Sequence, residues 1–209
     1  MNATQGSAQW LFDRAGKATA SRFADVAAKL KNGAPAKARE DYLWELVIER
    51  ITGQPAEHYT NAAMLWGMEN ELGARMAYEA HSGAIVEAAG LILHPTIQNC
   101  GGSPDGLIGD DGGLEIKCPF NSAIHLRTIL DGMPEEHAYQ VQGLMAVTGR
   151  AWWDFVSFDP RLPDGLSLYV QRVERDAEKC AHIEREVTAF LAEVDALTAQ
   201  LQGYRGGAA

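Results

Sequence analysis

Three residues of this 209-residue chain have the types and spacing of a hydrolytic centre: Asp105, Glu115 and Lys117. They lie in Gly101–Phe120, GGSPDGLIGDDGGLEIKCPF. Ser103-Pro104-Asp105-Gly106 is a turn-type cluster, in which Pro fixes φ and Gly admits unusual dihedrals. A short apolar run follows, and Asp110-Asp111-Gly112-Gly113 then carries the Asp-Gly and Gly-Gly signals of a hairpin. Leu114–Cys118 alternates like a strand, so Glu115 and Lys117 share one face and Leu114, Ile116 and Cys118 the other. The hairpin returns Asp105 to Glu115. Two carboxylates and an ammonium converging in this way suit phosphodiester hydrolysis. Mg²⁺ takes carboxylate and phosphate oxygens, polarises the phosphoryl group and lowers the pKa of a bound water. A neighbouring lysine orients that water or stabilises developing charge.

Pro-Asp, a gap, then Glu-x-Lys resembles the PD-(D/E)XK nuclease signature. A plain surface hairpin carries the same residues, so the motif alone leaves both readings open. Pro163-Asp164 repeats the first half, but Glu174-Arg175-Asp176 offers no lysine in the required place.

The elements that position this hairpin can be read from periodicity. Residues 7–17 suit a helix, and a second runs from Ser21, a suitable N-cap, to about Leu30. KNGAPAK, Lys31–Lys37, reads as a loop. Arg39–Ile51 is helical, with Tyr42, Leu43, Leu46, Val47 and Ile51 on its apolar side, and is ended by Gly53 and Pro55. Asn61–Ala80 is the clearest long helix, closed by Gly83. Met64, Glu71 and Arg75 lie on one stripe of it, with Leu65, Leu72 and Met76 on the next. Residues 84–88 and 90–94 read as strands, and Ser122–Leu130 as a helix. Pro134 suits the first turn of a helix that ends at Gly149. Ala151–Phe158 and Ser167–Val173 read as strands. In the first of these, Trp152-Trp153 puts one ring in the core and one on the sheet surface. A final helix over about Ala177–Gln202 has the stripe Ile183, Val187, Phe190, Leu191, Val194 and Leu201. Its acidic outer face, with Glu184, Glu186, Glu193 and Asp195, suits a partner surface. The fold class is α+β, a central mixed sheet flanked by helices, in one domain over residues 1–209.

Composition is that of an ordinary globular chain, with 46% hydrophobic and 22% charged residues. No apolar run is long enough to span a bilayer, and no N-terminal signal pattern is present, so a cytoplasmic location without membrane association is expected. Cys100, Cys118 and Cys180 lack metal-type spacing and read as reduced thiols, which argues against a four-cysteine iron–sulfur nuclease. The six histidines show no ligand spacing. Net charge is −10, yet Arg14, Lys17, Arg22, Lys29, Lys31, Lys37 and Arg39 against Asp13 and Asp25 give residues 1–39 a net +5, leaving −15 on the remainder. That asymmetry suggests one basic face on an acidic body.

Six groups of residues occur in order. They are Trp10-x3-Arg14-x4-Ala18-Thr19-Ala20-Ser21; Leu65-Trp66-Gly67 with Glu71; Ser103-Pro104-Asp105-Gly106-Leu107; Leu114–Phe120; Tyr139-Gln140-Val141-Gln142; and Phe158-Asp159-Pro160-Arg161. Together they resemble the phage lambda-type exonuclease family, also called viral recombinases or alkaline exonucleases, over roughly residues 8–175. The resemblance implies a PD-(D/E)XK fold of the restriction-endonuclease type. It implies a Mg²⁺-dependent enzyme that degrades one strand of duplex DNA from its 5′ end and leaves 3′ single-stranded overhangs. It also implies two Mg²⁺ ions, replaceable by Mn²⁺, a homotrimeric ring, and a single-strand annealing protein as partner in recombination.

By the same resemblance, Asp105, Glu115, the main-chain carbonyl of Ile116 and the helix carboxylate Glu71 are the metal ligands. Lys117 acts on the attacking water and Gln140 is the active-site glutamine. Glu69 competes with Glu71, but the two sit about 200° apart on a helix, so only one faces the site. Gln140 and Gln142 are opposed for the same reason. Arg14 and Ser21 match a 5′-phosphate pocket, Met64 an apolar wedge at the terminal base pair, and Lys31 a DNA-backbone contact. Read without the family, Arg14 is a surface charge, Ser21 an N-cap, Glu71 a solvated partner of Arg75, Gln140 a buried amide and Met64 core. Two alternatives remain. One is a PD-(D/E)XK endonuclease, which has no use for a 5′-phosphate pocket. The other is a non-catalytic DNA-end-binding scaffold, against which the presence of Glu71, Asp105, Glu115 and Lys117 argues.

Overall fold

Two paired strands at the centre of the sheet set the frame. In a computed structural model, which describes residues 3–56 and 60–204, β6 (Gly112–Lys117) and β7 (Trp152–Phe158) run parallel. β6 pairs antiparallel with β5 (Gly106–Ile108), β5 with β2 (Val86–Glu87), and β7 with β8 (Leu168–Glu174). The mixed sheet therefore has the order β2-β5-β6-β7-β8. A second sheet, β1-β4-β3, joins Ala18–Thr19, Cys100–Gly102 and Ile92–Leu93. The five-stranded sheet is the central mixed sheet expected from sequence; the second sheet was not read there, because strands of two or three residues carry no readable period.

Helices cover both faces. α4 (Ala62–Ser82) lays Ala74 and Tyr78 against Leu114, Ile116, Val156 and Phe158. It starts at Asn61, whose side chain accepts from Met64 N–H, and stops at Gly83 in the left-handed region. On the other face lie α3 (Lys37–Thr52), α6 (Ala138–Thr148) and α7 (Ala177–Tyr204). They pack around Tyr42, Leu46, Leu144, Trp153 and Phe190. The α7 stripe buries Ile183, Val187, Phe190, Leu191 and Val194, each worth about 1.5–3 kcal/mol before conformational entropy is subtracted. Leu201, expected on that stripe, is 39% exposed because the helix outruns the core. α5 (Ser122–Asp131) is capped by Asn121.

Four expectations are corrected. The first helix, α1, covers only Ala8–Arg14, since Gly16 turns the chain at φ +71°. Ser21 caps no helix. It lies in a 3-10 turn, Ala20–Arg22, ahead of the four-residue α2 (Phe23–Val26), and its hydroxyl accepts from Arg14. Pro134 precedes a 3-10 turn, Glu135–His137, with extended ψ, and α6 begins only at Ala138. Gly112 and Gly113 are strand, not turn. The turn is Gly109–Asp111, with Gly109 at φ +51°. The Gly-Gly step instead makes room for Trp152 and Trp153, whose rings lie 2.1 and 2.3 Å from where a Cβ would stand. Trp153 is core, and Trp152 lies on the sheet surface under Arg172.

The α7 acidic face is not a free partner surface. Glu186 pairs with Lys29 at 2.8 Å, Glu193 with Arg39 at 2.6 Å, Asp195 with Arg50 and Glu184 with His94. The first three of these stitch the last helix onto the first third of the chain, and they account for part of the basic N-terminal segment. Among the described residues no group of His, Cys, Asp and Glu forms a three-residue metal cluster, and His58 lies outside them. No described helix is long and apolar enough to cross a membrane.

Candidate active site

The register Gly106↔Leu114 sets Asp105 beside Glu115 at the mouth of the β5–β6 hairpin. Asp105 is tied to the strand by its own carboxylate, whose Oδ2 accepts from Ile116 N–H at 2.6 Å. Its main-chain carbonyl accepts from Arg75 of α4. Arg75 therefore anchors the hairpin and does not pair with Glu71, contrary to the simple i,i+4 expectation. The Lys117 ammonium donates to Glu115 Oε1 at 2.6 Å and to Gln140 Oε1 at 3.0 Å. Gln140 thus reaches the site from α6. Gln142 points away, donating to the carbonyl of Glu174 and accepting from Asp176 N–H. Glu71 lines the same cleft, whereas Glu69 is exposed and does not.

Burial dominates the electrostatics. It pushes the Glu115 carboxyl up to about 8, with Lys117 opposing the shift and Asp105 and Glu71 adding to it. Asp105 and Glu71 are also raised, chiefly by burial. Lys117 is raised, because the surrounding carboxylates outweigh its own desolvation. Glu115 is 1% exposed, and among the described residues its Oε2 has no hydrogen-bond partner. A buried carboxylate oxygen without a donor is costly. Beside a second buried carboxylate, it fits a divalent cation bound through hard oxygen ligands. The residues present therefore suit the metal that the sequence motif implies.

The cleft, about 530 Å³, runs from this carboxylate pair to Arg14. Arg14 is half-buried at the end of α1 and donates to three hydroxyls: Ser103 Oγ at 3.2 Å, Thr19 Oγ1 at 2.9 Å and Ser21 Oγ at 3.2 Å. Among the described residues no carboxylate lies within ion-pair distance of it. A guanidinium ringed by hydroxyls is a seat for an anion. Ser103 and Trp10 carry no assignment from sequence. Ser103 Oγ accepts from both Trp10 Nε1 and Arg14 Nη1, so its own proton is free to be donated. Trp10 also lies 4.3 Å from the Arg14 guanidinium. The available signal was spacing: Ser103 lies two residues before Asp105 in the same motif, and Trp10 one helical turn before Arg14. Met64 is 46% exposed on the cleft wall, so it is not core. Lys31 is exposed in a separate turn and does not line the cleft.

Residues 9–151 match the pattern of a YqaJ-like viral recombinase domain. The chain belongs to that family. The match spans every cleft residue from Trp10 to Gln140 and stops short of β7, β8 and α7. The family chain is also similar to the alkaline exonuclease LHK-Exo from Laribacter hongkongensis, at 46% identity and TM-score 0.90 over 97% of this chain and 100% of that one. The crystal structure of LHK-Exo in complex with dAMP matches at the same values. A phage-related exonuclease from Haemophilus somnus 129PT, at 16% identity and TM-score 0.67, covers 88% of this chain and 96% of that one, and shares the fold. No curated protein matches the sequence. The α+β sheet flanked by helices is therefore the PD-(D/E)XK fold of this recombinase family.

Proposed function

We propose that the protein is a Mg²⁺-dependent exonuclease that enters duplex DNA at a 5′-phosphorylated end and removes nucleotides in the 5′-to-3′ direction. The observation that carries this reading is one cleft holding both the Asp105–Glu115–Lys117 set and the Arg14 seat. An endonuclease has no need of an anion seat beyond its scissile bond. The relative crystallised with dAMP adds support, because a deoxynucleoside monophosphate is what such a reaction releases.

Arg14, with Ser21, Thr19 and Ser103 around it, holds the terminal phosphate and sets which bond reaches the carboxylates. Asp105, Glu115 and the Ile116 carbonyl offer oxygens to Mg²⁺, and Glu71 faces the cleft to serve a second ion. When bound, Mg²⁺ supplies Lewis acidity and an acidified water, and Mn²⁺ supplies the same chemistry. Lys117 is held between Glu115 and Gln140, and it orients the attacking water and meets charge developing on the phosphoryl oxygens. Water adds to phosphorus, the P–O3′ bond breaks, and the 3′-oxygen leaves to take up a proton. Met64 stands at the cleft wall as a wedge for the terminal base pair, and Lys31 meets the backbone of the duplex.

The product is duplex with a 3′ single-stranded overhang, the substrate of a strand-annealing protein. The whole chain acts as one domain in a homotrimeric ring, in the cytoplasm of a bacterial or phage-infected cell. Gel analysis of a linear duplex labelled at either end, with and without Mg²⁺, tests the reading. Mononucleotide release from the 5′ label only with metal is expected. Release from the 3′ label, or internal cuts in a closed circle, would overturn it.

A further inference from the structure

Arg14 sits at the last position of a seven-residue helix, followed directly by a glycine turn. Such a short helix has little rigidity of its own, so something else must fix the guanidinium. One face of α3 does this through the main chain. Glu49 is 6% exposed and accepts two backbone N–H groups, Gly16 at 2.7 Å on Oε2 and Ala56 at 2.8 Å on Oε1. Arg50 donates through Nε to the Gly16 carbonyl at 2.9 Å and is itself held by Asp195 of α7. Gly16 is therefore gripped at both its N–H and its C=O, two residues after Arg14. Two turns earlier on α3, the Tyr42 hydroxyl accepts from Thr19 N–H at 3.1 Å and donates to the Lys17 carbonyl at 3.3 Å. Thr19 is an Arg14 partner. The backbone of residues 16–19 is thus clasped at four points by one helix.

Among the described residues Glu49 pairs with no cation, and a buried carboxylate held so is an expensive way to fix a turn. Two main-chain donors satisfy it here, and it shares a recess of about 260 Å³ with Arg14. We propose that Glu49 is a positioning residue for the phosphate seat. It fixes the Gly16 turn, and so sets where the Arg14 guanidinium meets the 5′-phosphate. This rests on the phosphate-seat reading given above.

The test is binding of full-length protein in EDTA to fluorescein-labelled blunt duplexes that differ only in a 5′-phosphate or 5′-hydroxyl. Turnover follows with Mg²⁺. Glu49→Gln keeps the shape but can accept from one of the two N–H groups only. Gly16→Ala displaces the same turn from the other side, because a Cβ there would lie 2.8 Å from Arg50 Cγ at φ +71°. A shift of about 1 Å in a positioned group is enough to cost tenfold or more. Both variants should therefore lose most of the preference for phosphorylated ends. For those ends KM should rise and kcat should fall, both toward the 5′-hydroxyl values, while binding and turnover of 5′-hydroxyl duplex should stay near wild type. If Glu49→Gln fails to fold, Gly16→Ala carries the test. A wild-type preference that survives in the folded variants refutes the inference alone. A wild-type protein with no preference refutes the phosphate seat and the inference with it.

Discussion

Replacing Glu115 with glutamine should make the protein more stable in EDTA while abolishing cleavage. Glu115 is buried, one oxygen takes the Lys117 ammonium, and the other has no donor. Its carboxyl is pushed up to about 8, chiefly by burial. A carboxyl raised this way costs the native state stability wherever the unfolded chain would ionise it, so neutral pH lies inside the penalised range. Glutamine keeps the shape, gives Lys117 a carbonyl and removes the repulsion toward Asp105. Removing the buried negative charge is worth about 1–3 kcal/mol, from which the weakened Lys117 contact subtracts, while the amide NH2 takes the place of the oxygen that has no donor. A net gain of about 1 kcal/mol raises Tm by about 2–4 °C for a chain of this size. Thermal melts in EDTA and with added Mg²⁺ read both halves of the argument. Wild type should be stabilised by the ion through mass action, whereas the variant should melt higher in EDTA and gain little from the ion. A variant that melts at or below wild type in EDTA, or shows the full Mg²⁺ shift, would mean that Glu115 is not a strained ligand awaiting a cation.

Lys117→Ala should also abolish turnover but with the opposite sign on stability. It strips Glu115 of its one hydrogen-bond donor, so a higher Tm in EDTA would contradict the site geometry. Arg14→Ala should slow cleavage of 5′-phosphorylated duplex by about ten- to a hundredfold, the worth of a charge-assisted contact of roughly 1.5–3 kcal/mol. Ser21→Ala should lose less in the same direction. Single-turnover rates on matched 5′-phosphate and 5′-hydroxyl ends decide this, and an undiminished preference in Arg14→Ala would place the seat elsewhere. Asp159 is held down to about 2, first by its hydrogen bonds from Arg161. Its folded value lies below its unfolded one, so the pair stabilises the fold above about pH 4 and the contribution fades between about pH 4 and pH 2. Asp159→Asn should flatten the acid side of a Tm–pH profile, and an unchanged slope would deny the pair that role.

The centre was legible where chemistry and backbone period coincide. Strand alternation put Glu115 and Lys117 on one face, and the hairpin closed Asp105 onto them with the register Gly106↔Leu114. Helical spacing showed only that one of Glu69 and Glu71, and one of Gln140 and Gln142, can face the site; the family resemblance pointed to Glu71 and Gln140, and these two line the cleft. Legibility failed where one residue type serves two environments. A serine before an apolar run looks like an N-cap, yet Ser21 accepts from a guanidinium brought in from another element. Gly-Gly looks like a turn, but Gly112 and Gly113 are flat because two tryptophan rings lie over them. The pairs of α7 with Lys29, Arg39 and Arg50 join positions about 145–157 apart in sequence, a separation at which no local pattern operates.

Those pairs also change what the charge distribution means. Seven cations in the first 39 residues suggested a basic face, but Arg22, Lys29, Lys37 and Arg39 each meet a carboxylate. Among the described residues, Arg14, Lys17 and Lys31 of that segment have no such partner. The acidic excess of the chain is spent partly on neutralising its own N-terminal third, through the same helix that fixes α3. A broad basic surface would bind duplex anywhere along its length, because each phosphate contact contributes regardless of position. On the function proposed above, a single guanidinium walled by hydroxyls, set at the end of a cleft whose other end holds ionisable oxygens, would be selective for a strand terminus. Only a terminus carries an extra charge and can enter end-on. On that reading the pairing of Arg22, Lys29, Lys37 and Arg39 with carboxylates and the hydroxyl-walled setting of Arg14 act together, weakening contact with internal duplex and leaving the end as the preferred point of entry.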